Sequence, residues 1–260
     1  MMHAILKTLI KRSIKKILNQ TGFEIHKKGI SREFPKDFDD MCIEMIKSVK
    51  PFTLTSKERN FALIEAVKYI INHEVPGDIV ECGVWKGGSM MIVAKTLMNL
   101  KNQEKEIYLF DTFEGMTKPT EFDIPASGAF DVSELYKKNR INDNSSDWCR
   151  AELDEVKNNV YSTGYKKDKL HFVKGKVENT LPRVVPEKIS ILRLDTDWYE
   201  STLHELIHLF PKLVKGGVLI IDDYGYWKGS KKAVDEYFVK NKTRILLNRI
   251  DETGRIGIKL

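Results

Sequence analysis

Two apolar stretches of this chain each end in closely spaced aspartates, and this pattern constrains the fold more than any other feature. The stretches finish in the segments 194–197 (LDTD) and 220–223 (IIDD). Each stretch has the length of a buried strand and is followed by a helical pattern. Alternation of this kind is typical of a doubly wound parallel sheet. Ligands of such sheets bind just outside the carboxyl ends of the strands, so both acidic segments are predicted to lie at the binding edge.

The rest of the chain repeats the alternation of strand and helix. A capping box at Thr55–Glu58 opens the first helix of the predicted domain, and two strands around Glu252-Thr253-Gly254 form a closing antiparallel hairpin. Residues 112–168 lack this regularity and are predicted to form a lid or insertion. The other predicted strands are 78–84, 107–111, 170–173, 189–194 and 218–221, and the other helices are 90–100, 201–214 and 230–240.

The composition, 42% hydrophobic and 31% charged over 260 residues, is that of a soluble protein with one large core. The three cysteines, Cys42, Cys82 and Cys149, have no close-paired spacing, so the sequence supports neither a zinc site nor a disulfide framework. A reducing, cytoplasmic compartment is therefore predicted.

The net charge of +6 is concentrated in the first 28 residues, which hold seven of the 43 basic residues and one of the 37 acidic ones. We predict a basic, amphipathic N-terminal arm over 1–40 and a catalytic domain over 41–260. The neutral body argues against nucleic acid as a partner. Two uses of the arm stay open, namely peripheral contact with a membrane surface and packing on the domain or on a second subunit of a homo-oligomer.

The two acidic segments indicate a divalent cation. Carboxylates at the ends of neighbouring strands repel one another unless a hard cation such as Mg²⁺ lies between them. Asp195, Asp222 and Asp223 are the candidate carboxylates.

A second group of residues indicates a nucleoside ligand. Glycines follow the first central strand in the segment 81–89 (ECGVWKGGS), and the next strand ends in Asp111, which can accept hydrogen bonds from ribose hydroxyls. The spacing differs from G-x-G-x-x-G, and Asp111 lies farther along the chain than a dinucleotide fingerprint requires. A nucleoside without a pyrophosphate fits better, and S-adenosylmethionine is the candidate cofactor.

Four ordered motifs resemble the macrocin O-methyltransferase family, whose members methylate sugar hydroxyls with S-adenosylmethionine and Mg²⁺. The motifs are 77–89 (GDIVECGVWKGGS), 111–115 (DTFEG), 194–202 (LDTDWYEST) and 222–225 (DDYG). The resemblance implies a seven-stranded, Rossmann-like class I methyltransferase fold. It also implies a small-molecule or glycan acceptor, which is a glycoside, a nucleotide sugar or a polysaccharide.

The resemblance also implies roles for individual residues. Asp195 is expected to be the general base and, with Asp222 and Asp223, to bind the metal. Asp111 is expected to hold the ribose. The other expected cofactor contacts are Glu81, Gly83, Val84 and Trp85 near the methionine end, Thr53 over the methionine carboxylate, and Trp148 and Lys176 near the adenine.

Two rival functions are considered beside this one. An NAD-dependent sugar oxidoreductase or epimerase needs a Tyr-x-x-x-Lys pair on a helix, and Tyr165/Lys169 and Tyr224/Lys228 have that spacing by chance. A non-catalytic, partner-binding protein on a methyltransferase fold is the second rival.

Several polar residues receive a structural interpretation instead. Asp197 and Glu200 are interpreted as caps of the helix that begins near Ser201. His204 and His208 are four residues apart, but no third zinc ligand accompanies them, so they are interpreted as packing residues.

Overall fold

The computed structural model describes residues 33–142 and 145–260. The chain divides into two compact units, residues 1–37 and 38–260. Most of the predicted basic arm, residues 1–32, lies outside the described residues, so its amphipathic helix stays a prediction. Among the residues that are described, no helix is long and apolar enough to cross a membrane.

In the described part of the chain, seven strands form one sheet in the order β3-β2-β1-β4-β5-β7-β6. Strands β1 to β5 pair in parallel, whereas β7 runs antiparallel to both β5 and β6. This confirms the predicted doubly wound, mostly parallel sheet and its C-terminal antiparallel hairpin. The strands are β1 Asp78–Cys82, β2 Ile107–Asp111, β3 Leu170–Lys174, β4 Ile189–Leu194, β5 Leu213–Ile221, β6 Asn248–Arg249 and β7 Arg255–Ile258.

Helices connect the parallel strands. Every residue of the central strand β4 is buried, because helices on both faces shield a parallel sheet from solvent. The helices are α1 Asp40–Val49, α2 Lys57–Asn72, α3 Gly88–Asn99, α4 Val132–Asn139, α5 Leu153–Tyr161, α6 Val177–Thr180, α7 Tyr199–His208 and α8 Lys228–Lys240.

Among the predicted helix boundaries, the end of α7 and the cap of α2 are wrong, and α3, α7 and α8 each begin two residues earlier than predicted, at Gly88, Tyr199 and Lys228. Helix α7 ends at His208 and not at position 214, because Pro211 has no amide hydrogen and lies in a short 3₁₀ turn before β5 begins at Leu213. Helix α2 is capped by Ser56, whose hydroxyl accepts a hydrogen bond from the amide of Arg59 at 3.1 Å. Thr55, the predicted cap, is therefore available for another contact.

The described part of the segment 112–168 contains the α-helices α4 and α5. Helix α5 packs against α3 and β3, as a crossover helix does. The part of the segment that precedes α5 extends to the connection between β5 and α8. There the amide of Ala126 donates to the carbonyl of Tyr226 (2.8 Å), and the amide of Lys228 donates to the carbonyl of Ile124 (2.9 Å). This part is thus attached at the carboxyl edge of the sheet.

Asp251 ties the C-terminal hairpin to the start of α2. Its Oδ1 accepts hydrogen bonds from the amides of Thr253 (2.9 Å) and Gly254 (2.7 Å), and its Oδ2 accepts from Ser56 Oγ (2.5 Å) and Arg59 Nε (2.9 Å). Burial alone would raise the pKa of Asp251, but these hydrogen bonds and the Arg59 charge lower it to about 2.

We expect Asp251→Asn to lower the free energy of unfolding by about 2 kcal/mol at pH 7. Because folding lowers this pKa from 3.8 to about 2, the stabilisation is complete above the unfolded value and declines as the pH falls toward the folded one. Urea denaturation at neutral pH and at about pH 3 measures the effect, and the deficit should roughly halve at the lower pH. A deficit that is independent of pH would contradict this account. Exposed Asp168→Asn is the matched control.

Candidate active site

Three neighbouring strands end level with one another at the carboxyl edge of the sheet. Cys82 of β1 lies opposite Leu194 of β4, and Leu194 lies opposite Ile221 of β5. The ladder continues past the strands, because the amide of Asp195 donates to the carbonyl of Cys82 (2.8 Å) and the amide of Asp222 donates to that of Leu194 (2.9 Å). Backbone hydrogen bonds therefore hold the two acidic segments side by side.

Gly83 permits the close approach of β1 and β4 at this edge. Its φ of +83° is one that side chains rarely adopt, and an added Cβ would lie 1.9 Å from the carbonyl oxygen of Asp195. The glycine of the predicted cofactor loop is therefore also a packing requirement.

A cavity of about 430 Å³ opens above these strand ends. All of the site residues predicted from the sequence line this cavity except Glu81. The predicted site residues that do line it are Thr53, Gly83, Val84, Trp85, Asp111, Trp148, Lys176, Asp195, Asp222 and Asp223.

At one end of the cavity, Asp111 organises the loop after β1. Its Oδ2 accepts hydrogen bonds from the amides of Val84 (2.7 Å) and Trp85 (3.1 Å), and its Oδ1 accepts one from the amide of Phe113 (2.7 Å). Burial raises the pKa of Asp111, and these backbone donors oppose the rise. Trp85 has a φ of +46°, so this carboxylate holds the loop in a strained conformation.

At the other end, Asp195, Asp222 and Asp223 each offer a carboxylate oxygen within 4.8 Å of the others. Among the residues that the structure describes, no other group of three or more His, Cys, Asp or Glu side chains lies this close together. Arg193 lies beneath the group with 2% of its side chain exposed. Its Nη1 donates to Asp195 Oδ2 at 2.7 Å, and its Nη2 donates to Asp222 Oδ1 at 2.6 Å and to Thr55 Oγ1 at 3.0 Å.

Glu81 differs from the expectation that it lines the methionine end of the cofactor. It is the second-last residue of β1, is 1% exposed, and its Oε1 accepts a hydrogen bond from Arg193 Nη1 at 2.6 Å. Burial raises the pKa of Glu81 to about 7, although the Arg193 charge opposes the rise. Glu81 therefore supports the floor of the site, and the physical reason is its pairing with a buried guanidinium.

The acidic group has the chemistry of a site for a hard cation. Burial, followed by repulsion among the aspartates, raises the pKa of both Asp195 and Asp223 well above the usual range, although Arg193 opposes this. Asp223 Oδ2 is buried and has no hydrogen-bond partner within the described residues. A divalent cation bound by oxygen ligands would satisfy that atom and offset the repulsion. The donor set thus fits Mg²⁺.

The interpretation of Asp197 as a helix cap is wrong. Helix α7 begins at Tyr199, and Trp198 precedes it without a capping side chain. The amide of Tyr199 instead donates to Oδ1 of the fully buried Asp123 at 2.7 Å, so the cap comes from the 112–168 segment. Glu200 does lie in the first turn of α7, where the helix dipole favours it.

Asp197 is a fourth carboxylate of the cavity wall. Its φ is +68°, and its Oδ1 accepts a hydrogen bond from Trp227 Nε1 at 2.5 Å. Burial and the nearby Asp195 raise the pKa of Asp197 to about 8. A strained backbone at a non-glycine residue on a cavity wall is the kind of feature found at functional sites.

Three tryptophans pack together beside Asp197. The ring centroids of Trp198 and Trp227 are 4.9 Å apart, and Trp148 lies 5.7 Å from Trp198 and 6.4 Å from Trp227. Trp148 therefore touches the acidic end of the cavity, and its assignment to the adenine stays a prediction. Trp198 is 3% exposed and does not line the cavity, so it is a packing residue.

The other sequence pairs lie outside the cavity lining. Tyr165 donates to the carbonyl of Lys105 (2.7 Å) and Lys169 pairs with Glu106, so they form no catalytic pair with each other. Tyr224 donates to Asp235 (2.7 Å). Both Tyr-x-x-x-Lys spacings are accordingly without catalytic geometry.

The histidine pair is a packing feature, as the sequence indicated. The rings of His204 and His208 lie 4.4 Å apart, and His204 Nε2 is 3.3 Å from the carbonyl oxygen of Leu181.

The fold and site can be compared with known proteins. The profile of the family described as Macrocin-O-methyltransferase (TylF) matches residues 11–256. The chain belongs to this family. The demethyldecarbamoylnovobiocin O-methyltransferase of Streptomyces niveus is 30% identical over 192 residues, which cover 73% of this chain and 69% of the relative. The 8-demethyl-8-(2,3-dimethoxy-alpha-L-rhamnosyl)-tetracenomycin-C 4'-O-methyltransferase of Streptomyces olivaceus is 31% identical over 202 residues, covering 78% and 73%.

Solved structures agree with this membership. The O-methyltransferase NovP is 27% identical, with a TM-score of 0.70 over 80% of this chain and 82% of that chain. The calicheamicin methyltransferase CalS11, at 17% identity and a TM-score of 0.58 over 91% and 99%, shows the fold alone. The chain is therefore an O-methyltransferase of the macrocin O-methyltransferase family with the class I, Rossmann-like fold.

Two functional arginines were missed by the sequence reasoning. Arg193 is a charged residue within the otherwise uncharged strand ISILRL, and a buried cation in a central strand indicates a buried acidic partner. Arg59 lines the cavity and forms ion pairs with Asp222 and Asp251. No local pattern distinguished Arg59, because its partners lie far away in the chain.

We expect Gly83→Ala to be much more destabilising than Gly128→Ala. Gly128 also has a positive φ, of +65°, but its added Cβ meets nothing within 4 Å. The control should therefore cost about 1 kcal/mol of backbone strain, whereas Gly83→Ala adds a backbone clash and should cost about 3 kcal/mol or more. Thermal unfolding of both variants measures the difference. Equal losses would show that β1 and β4 do not approach closely at this edge.

Proposed function

We propose that this enzyme transfers a methyl group from S-adenosylmethionine to a sugar hydroxyl, with Mg²⁺ bound by Asp195, Asp222 and Asp223. One cavity that joins the loop held by Asp111 to the three carboxylates is the observation that carries the proposal. Methyl transfer needs this arrangement, because the donor carbon and the acceptor oxygen must be held in contact and in line.

The end of the cavity near Asp111 suits the cofactor. The loop 83–85 has no side chain at Gly83, and α3 begins three residues after the loop, at Gly88. Thr53 closes this end from the connection before α2 and is 8% exposed. Backbone amides already occupy both lone pairs of Asp111 Oδ2. Its Oδ1 accepts from the amide of Phe113 and, at 3.3 Å, from the hydroxyl of Thr112, so a ribose hydroxyl would replace the long Thr112 contact at Oδ1.

The acidic end suits activation of the acceptor hydroxyl. Bound Mg²⁺ would supply Lewis-acid chemistry that lowers the pKa of that hydroxyl. Asp195 is the proposed general base, since Arg193 fixes its Oδ2 and its side chain is 26% exposed toward the cavity. Arg193 also orients Asp222, so two of the three carboxylates are prepositioned by one buried cation.

The acceptor is proposed to lie against Asp197 and Tyr226, which both line the cavity, and 42% of Tyr226 is exposed. A carboxylate beside aromatic rings is suited to a sugar, because hydroxyl groups donate to the carboxylate and the apolar ring face packs on an aromatic side chain. The name of the Streptomyces olivaceus relative contains a methylated rhamnosyl group, which supports a sugar as the acceptor. Glycosides, nucleotide sugars and polysaccharides can be compared by an acceptor screen with mass-spectrometric detection of methylation.

We expect Asp195→Ala to reduce turnover by about 1,000-fold or more, since it removes a metal ligand and the proposed base together. The affinity for S-adenosylmethionine, measured by calorimetry, should change less than about threefold. Exposed Asp168→Ala is the control, and addition of EDTA to the unchanged protein should also abolish turnover. Substantial activity of Asp195→Ala, or activity that EDTA leaves intact, would disprove the assignment of base and metal.

We expect Asp197→Asn to raise the KM for the acceptor by about tenfold at about pH 9, above the Asp197 pKa of about 8, because the amide is a weaker acceptor of hydroxyl hydrogen bonds than the ionised carboxylate. The asparagine oxygen can still accept from Trp227, so the wall should keep its shape. Steady-state kinetics and calorimetry with S-adenosylmethionine test this together, and the cofactor affinity should stay unchanged. An unchanged KM would remove Asp197 from the acceptor site.

A further inference from the structure

Both oxygens of Asp222 are occupied by arginine side chains. Oδ1 accepts a hydrogen bond from Arg193 Nη2 at 2.6 Å, and Oδ2 forms an ion pair with Arg59 Nη1. Asp223 differs from Asp222, because its Oδ2 is buried and has no hydrogen-bond partner among the described residues. An ion that binds between these residues must therefore compete with an arginine at Asp222 but not at Asp223.

Of the two arginines, Arg59 is the one that can give way. Arg193 is 2% exposed and donates to Glu81 and Asp195 as well as to Asp222, so its removal from Asp222 would leave buried charges unpaired. Arg59 lines the cavity, has 15% of its side chain exposed, and already has a second carboxylate partner in Asp251.

The second partner lets Arg59 leave Asp222 without losing an ion pair. Its Nε donates to Asp251 Oδ2 at 2.9 Å, whereas a different nitrogen, Nη1, pairs with Asp222. A small rotation of the guanidinium can break the second contact and keep the first, because the two contacts use separate atoms of one planar group.

We propose that Arg59 is a positioning residue of the metal site, which neutralises Asp222 in the metal-free protein and yields Asp222 Oδ2 to the cation when it binds. The proposal rests on the proposed Mg²⁺ site. Arg59 thus keeps the acidic end of the cavity folded without metal, and Asp251 retains it afterwards. Arg59 lies four residues after Thr55, which ends the segment Thr53–Thr55 of the cavity wall.

Opposite effects of two variants follow from the exchange. Arg59→Gln removes the competitor and should tighten Mg²⁺ binding by about tenfold, which corresponds to ~1.4 kcal/mol. Asp251→Asn removes the partner that receives Arg59 and should weaken Mg²⁺ binding by about threefold or more. Calorimetric titration of the full chain with MgCl₂ measures both values.

A double variant separates exchange from simple long-range electrostatics. If Asp251 acts through Arg59, then Asp251→Asn should have little effect in the Arg59→Gln background, and the two changes should be strongly non-additive. If both residues act only by their charge, their effects should add. Additive effects would overturn the proposal even though each single variant changed the affinity as expected.

Two controls complete the experiment. Lys169→Gln breaks a partly buried ion pair with Glu106 at the other edge of the sheet and should leave the Mg²⁺ affinity unchanged. Arg59→Lys keeps the charge, but its single ammonium cannot pair with both aspartates as the guanidinium does, so an intermediate affinity is expected. It also keeps the proposal testable if Arg59→Gln fails to fold.

The outcomes distinguish this proposal from the one on which it rests. Binding of Mg²⁺ to the unchanged protein, together with unchanged or weaker binding to Arg59→Gln, would overturn the role of Arg59 and leave the metal site intact. Absence of Mg²⁺ binding in every protein would overturn the metal site and the role of Arg59 together.

Discussion

The site depends on one buried cation. Arg193 lies in the most protected strand of the sheet and pairs with one carboxylate within β1 and with two that directly follow β4 and β5. Without it, Glu81 and Asp222 would be ionised groups in an apolar interior, which is costly unless they are paired. A buried ion network of this kind is seldom worth much as net stability. What it contributes is position, because five donors in a rigid plane allow little freedom to the carboxylates that accept them.

This cation acts together with the register of the strands. Cys82, Leu194 and Ile221 lie level, so the residues that come next leave the sheet at the same height. Gly83 at one of these ends has no side chain to hold the strands apart. Two features therefore fix the positions of the carboxylates, namely the backbone hydrogen bonds between the strands and the ion pairs with the Arg193 side chain. Two independent constraints on the same atoms are what preorganisation of a catalytic group requires.

The sequence predicts the sheet, the two ends of the cavity and the three metal-type carboxylates, because each of these depends on local patterns. An apolar run, a following glycine and a terminal aspartate are neighbours in the chain. What it does not predict depends on contacts between distant segments. Arg59 acts through Asp222 and Asp251, and Asp123 caps α7 from the 112–168 segment. The ion pair between Arg193 and Glu81, which keeps Glu81 away from the cavity wall, is also a contact between distant segments. The end of α7, in contrast, could have been read from Pro211.

Asp197 shows why the distant contacts decide function. A residue just before a helix is an obvious cap, and its sequence context favours that role. In the fold, Asp123 already holds the first amide of α7 at 2.7 Å. The 112–168 segment thereby leaves Asp197 out of the helix cap, and Asp197, with a φ of +68°, accepts a hydrogen bond from Trp227 at the cavity wall. The same segment bonds to the backbone of Tyr226 next to that tryptophan. A single insertion thus completes the helix and shapes the wall at which we place the acceptor, so variation of this segment among relatives should change the acceptor and leave the methyl-transfer chemistry intact.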